Sequence, residues 1–117
     1  MDITFTDAAK DRLQKYLKND AKIVLDFDDG VGPFSDEANC TLALSFNLVF
    51  VNKDADLHEF GAKISSNLGD VYAKPYSLDQ MNEHMKVDLD PKYLRYSLSG
   101  QNGELDPSLG IKDYTSK

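Results

Sequence analysis

The sequence predicts an α+β domain: a curled, mostly antiparallel sheet with an N-terminal helix packed against it. Three observations predict it. One stretch, residues 6–17, carries apolar residues at helical spacing. About six other stretches alternate apolar and polar residues with the period of a strand. The connections between them are mostly of hairpin length and leave no room for the crossovers of a doubly wound parallel sheet.

Taken in order, residues 2–5, DITF, alternate and read as a short strand. Thr6 is placed to cap a helix, with Asp7 in the first turn where the helix dipole favours an anion. Ala9, Leu13, Tyr16 and Leu17 form one apolar stripe, and Lys18–Asp20 ends the helix. KIVLDFD, 22–28, sets Ile23, Leu25 and Phe27 against Val24 and Asp26, a strand with one wet face. CTLALSFNLVFV, 40–51, has the strongest alternation, with Leu42, Leu44, Phe46, Leu48 and Phe50 on one face. KDADLHEFG reads as a polar connection, and AKISSNLGDVYAKPY as two strands around a tight NLGD turn. SLDQMNEHM is a short helical segment capped by Ser77. KVDLD is a strand, Pro91 marks a turn, and YLRYSLSG is a strand with Leu94, Tyr96 and Leu98 facing inward. The end, QNGELDPSLGIKDYTSK, reads as turns that finally fray. Residues 1–112 are therefore expected to form one domain and 113–117 a flexible tail.

At 117 residues, 41% apolar and 28% charged, the chain can bury a core of its own. It has no apolar run of membrane-spanning length, no signal-peptide core at its start and a single cysteine, which points to a cytoplasmic protein without disulfides. A net charge of −7 with scattered Lys and Arg argues against nucleic acid and anionic membrane as partners. A cation or a metal remains electrostatically compatible.

The stretch with most chemical interest is DFDDGVGPFSDEANC, Asp26–Cys40. Asp26, Asp28 and Glu37 stand at positions 1, 3 and 12 of a calcium-loop count, but Gly30 replaces a ligand and Val31 the required glycine. A phosphate cradle would need a helix after the glycines, and Pro33 removes an amide donor. Cys40 as a nucleophile would need a histidine, and the two in the chain, His58 and His84, lie in polar stretches; the neighbouring Asp36 and Glu37 disfavour a thiolate. One Cys and two distant His do not make a zinc site. A solvated turn, with Cys40 buried at the start of a strand, accounts for the same residues, and an enzyme is not the expectation.

ITFTDAAKDRLQKYL, followed in order by IVLDFDDG, LALSFNLVFV, ISSNLGDVYAKPYS and MKVDLDPKYLRYSLSG, resembles the A-type iron–sulfur cluster biogenesis (HesB-like) domain over about residues 2–112. The family pattern holds iron or a cluster with a loop cysteine and a C-terminal C-x-C pair, soft thiolates suited to Fe–S chemistry. Here the C-terminal stretch holds no cysteine, so the chain resembles a divergent member lacking that pair.

What the resemblance implies is a carrier-like protein of iron–sulfur cluster biosynthesis with a degenerate or absent cluster site. Its ligands would come from Cys40, with Asp28, Asp29, Asp36 and Glu37 around it. The bound species would be iron, an iron–sulfur cluster, or nothing. The implied partners are cluster-assembly proteins, recipient apoproteins and a second copy in a homodimer, which would pool two thiols. The alternative is a cluster-free protein-interaction module on the same scaffold, with Tyr93, Tyr96 and Tyr114 as a candidate surface. The acidic loop by itself, apart from the resemblance, offers a third and minor reading, a metal-dependent hydrolase.

Overall fold

The computed structural model describes residues 1–17, 20–28 and 45–115. Among them are strands β1 (Asp2–Phe5), β2 (Lys22–Asp28), β3 (Ser45–Val51), β4 (Ala62–Ser66), β5 (Val71–Ala73), β6 (His84–Asp90), β7 (Arg95–Gly100) and β8 (Gly103–Tyr114). They close into a barrel in the order β1-β4-β5-β2-β3-β8-β7-β6, with β6 returning to β1. The predicted curled, mostly antiparallel sheet is therefore wrong, because the sheet closes on itself and half its ladders are parallel. The ladders β1–β4, β1–β6, β2–β5 and β3–β8 are parallel, and β2–β3, β4–β5, β6–β7 and β7–β8 are antiparallel. Alternation reveals that a strand has an inner face; it does not reveal which distant strand lies alongside.

The interior is built by that alternation. Ile3 and Phe5, Ile23, Leu25 and Phe27, Phe46, Leu48 and Phe50, then Met85, Val87 and Leu89 point into one cluster shared by the strands. Helix α1 (Asp7–Leu13) opens at Thr6, whose hydroxyl accepts the Ala9 amide at 3.4 Å. It is only seven residues long and continues as a 3₁₀ turn over Gln14–Tyr16. Ala9 and Leu13 are fully buried in the interior cluster, so the helix plugs the barrel instead of flanking a sheet. Tyr16 stacks on Phe50 with ring centroids 4.9 Å apart.

Three further expectations change. The outer face of β2 is dry: Val24 and Asp26 are fully buried. The connection at 52–61 covers it, because Phe60, Ala55 and Leu57 pack with Val24, Val49 and Val51 in a second cluster. The C-terminal stretch is the longest strand, β8, paired through Val51↔Tyr114 on one side and to β7 on the other. Pro107 falls where the β7–β8 register shifts, so its missing N–H is tolerated at an irregularity. Finally, Leu94 does not face inward. It sits in the β6–β7 turn at φ 53°, 54% exposed, a left-handed backbone that costs a leucine on the order of 1 kcal/mol.

On the outer face of β3, Asn47 lies beside Gly110 of β8, its register partner. A Cβ at Gly110 would overlap the Asn47 side-chain oxygen. Gly110→Ala should therefore destabilise the protein by about 1–3 kcal/mol in urea unfolding. Asn47→Ala/Gly110→Ala should show a non-additive recovery, the signature of a steric pair.

Candidate functional site

The predicted acid-and-thiol loop joins β2 to β3. Cys40, Asp29, Asp36 and Glu37 lie outside the described residues, and Asp28 is described in its backbone alone, as the last residue of β2. The structure thus defines the frame that holds this loop. β2 and β3 run antiparallel from Lys22↔Val51 to Asp28↔Ser45, which brings the two ends of the loop together. Beneath them the Phe27 and Phe46 rings close the interior, 5.2 Å apart. The Phe46 amide donates to the buried Asp106 carboxylate of β8 at 2.8 Å, and the Ser108 amide donates to its other oxygen at 2.9 Å. Asp106 ties the start of β3 to the last strand.

On the outer face beside this end, Asp26 meets Lys74 with Nζ–Oδ1 at 3.2 Å, and both side chains are almost fully buried. Lys74 follows β5, and the β2–β5 ladder sets it alongside Asp26. The Phe60 ring lies 5.9 Å and the Tyr76 ring 5.8 Å from the ammonium. Burial works to lower the Lys74 pKa, but the Asp26 carboxylate and the Tyr76 hydroxyl outweigh it and hold the ammonium above its ordinary 10.5. Two opposite charges out of water make a stiff strut, because loss of either partner would leave the other charge buried.

Metal-donor side chains elsewhere occur as exposed pairs. His84 Nδ1 lies 2.8 Å from Asp2, and His58 Nδ1 lies 3.0 Å from Asp56. Among the described residues, no three His, Cys, Asp or Glu side chains come together to hold a metal ion. β8, which occupies the C-terminal stretch, carries no sulfur, and its buried carboxylate is engaged by two amides.

Sequence reasoning placed Asp26 on a wet face and gave Lys74 no role. Nothing local marks that pair, since its partners come from strands far apart in the chain. Asp106 did carry a signal: Asp-Pro-Ser is a sequence in which an aspartate accepts the amide two residues on.

The fold is a mixed closed barrel in which buried polar side chains brace the strands that frame the β2–β3 loop. A family model described as iron–sulphur cluster biosynthesis matches residues 1–113. A crystal structure of a Lactobacillus salivarius protein provisionally assigned to Fe–S biosynthesis, described as having a novel fold, is 39% identical. It superposes with a TM-score of 0.87, over 99% of this chain and 100% of the other. A second such protein, from Lactobacillus acidophilus, is 26% identical with a TM-score of 0.76, over 97% and 90% of the two chains. No curated protein matches the sequence. The chain belongs to the iron–sulfur cluster biosynthesis family.

Lys74→Met should cost about 3–5 kcal/mol in urea unfolding by leaving Asp26 buried without its ammonium, while Asp26→Leu/Lys74→Met should recover most of that loss. A lysine whose folded pKa is raised contributes fully below its unfolded value of 10.5, and that contribution is lost as the pH rises through the folded value. The wild-type urea midpoint should therefore fall more steeply above about pH 10.5 than that of the double variant. Tyr96, raised by burial against the opposing Arg12, weakens both proteins alike in that range and cancels from the comparison.

Proposed function

We propose that this chain serves iron–sulfur cluster biogenesis as a carrier-like, non-enzymatic protein with a degenerate cluster site. Membership of the cluster-biosynthesis family across residues 1–113 is the observation that carries this reading. The cluster is cargo here, and the donor set of one chain does not fit it alone. There is one thiol, Cys40, and in β8, which spans the family's C-x-C region in the resemblance, there is none. A [2Fe–2S] unit needs four protein ligands, usually thiolates. Two copies would offer two, leaving the rest to carboxylates such as Asp28, Asp29, Asp36 and Glu37, or to a thiol brought by the partner. In this reading the partners are assembly proteins that load the carrier and apoproteins that receive from it.

A second reading, a cluster-free interaction module on the same barrel, is favoured by the exposed Tyr93 and Leu94 at the tip of the β6–β7 turn. Anaerobic reconstitution with iron and sulfide separates the two. Under the first reading the wild type gains the visible absorption of a cluster, with one cluster per pair of chains, and Cys40→Ser does not. If both proteins stay colourless, the carrier reading is lost and the interaction reading stands.

A further inference from the structure

We infer that the groove between the β6–β7 turn and β8, walled by Tyr93 and Leu94 and rimmed by Arg95, docks a short acidic segment of a partner protein that also bears an apolar side chain. This deepens the interaction reading above. Its test uses neither iron nor Cys40, so the two can fail separately.

The groove has an apolar floor and exposed apolar walls. Leu109 is buried at its base, and Tyr96 and Ile111 are half-buried beside it. Tyr93 is 63% and Leu94 54% exposed. Isolated exposed apolar residues are ordinary, but two in succession beside a concave surface form an anchor site. Leu94 holds its place at φ 53°, where glycine would sit without strain. A backbone that puts a leucine there, and turns it to water, favours a role for the side chain outside the fold.

Charge selects the occupant. The chain carries 20 acidic residues against 13 Lys and Arg, yet no carboxylate lines this groove. Arg95 forms part of its wall. Arg12 hydrogen-bonds Tyr96 from the helix side, and the Lys92 ammonium lies 5.3 Å from the centre of the Tyr93 ring. The neighbouring Asp90 carboxylate is turned to the Lys92 backbone amide at 2.9 Å. Asp90 stands opposite Arg95 in the β6–β7 register and keeps its charge, so the three cations leave a local positive excess. With a screening length of about 8 Å at physiological salt, that local balance counts for more than the distant net charge.

Three cations are too few for other anions. Duplex nucleic acid is held by about 6–10 phosphate contacts, and anionic membrane by clusters of about 4–8 basic residues. A groove lined by seven residues is also smaller than a standard globular interface, which takes about 20–30 residues a side, and this suits a short linear segment.

The experiment is fluorescence anisotropy with a labelled peptide of Glu, Asp, Leu and Phe, beside a peptide in which Lys replaces every acid. The acidic peptide should bind saturably and the basic one should not. Arg95→Glu should weaken binding about tenfold, whereas Lys63→Glu, the same charge change on exposed β4, should leave it near wild type. Leu94→Gly should also weaken binding while the melting temperature holds or rises, because the left-handed position suits glycine; loss of binding is then not loss of fold. Failure of the acidic peptide to bind, equal binding of the basic one, equal loss in Lys63→Glu, or unchanged binding in Leu94→Gly would each overturn the inference. So would a self-association, seen by sedimentation, that Leu94→Gly abolishes, since the groove would then be filled by a second copy.

Discussion

Closure of the barrel rests on β1, a four-residue strand hydrogen-bonded along both edges. On one side it runs parallel to β6 through Asp2↔His84 to Phe5↔Val87, continued by the Thr6 amide on the Val87 carbonyl. On the other side the β4 ladder lasts only from Asp2↔Ser65 to Ile3↔Ser66. The Asn67 side chain then replaces it, with its oxygen accepting the Phe5 amide at 2.9 Å and its nitrogen donating to the Phe5 carbonyl at 3.0 Å. Without β1, two rows of backbone groups would face water and the interior cluster would open at Ile3 and Phe5. Because both ladders are parallel, neither neighbour is reached by a hairpin. The seam forms only when distant parts of the chain have come together.

Around that closed interior, buried polar side chains act as struts. Asp26 and Lys74 lock β2 to the segment after β5, Asp106 locks β3 to β8, and Asn47 fills the space over Gly110. All three stand on β2, β3 and the strands beside them, the part of the barrel from which the loop to Cys40 departs. In this chain the C-terminal strand holds no sulfur, and its buried carboxylate, Asp106, accepts two backbone amides. Asp106 on β8 thus serves the fold.

Much of the local structure was legible. Thr6, the stripe of Ala9 and Leu13, and the alternation of Ile23-Leu25-Phe27 and Phe46-Leu48-Phe50 each encode their element directly, because a helix repeats every 3.6 residues and a strand every two. The C-terminal strand was hidden by Gly103, Pro107 and Gly110, which read as breakers but sit at a tight turn, a register shift and a close approach to Asn47. The segment at 52–61 reads as polar, yet Leu57 and Phe60 are enough to cover β2.

Sequence by itself determined the family, the inner faces of Ile23-Leu25-Phe27 and Phe46-Leu48-Phe50 and the poverty of sulfur, because all three depend on residue identity and short-range spacing. Only the tertiary structure decided that the sheet closes, that half its ladders are parallel, that Asp26 is buried against Lys74 and that Leu94 faces water. Those outcomes depend on which distant strands become neighbours, and a two-residue alternation is the same whichever neighbour it meets.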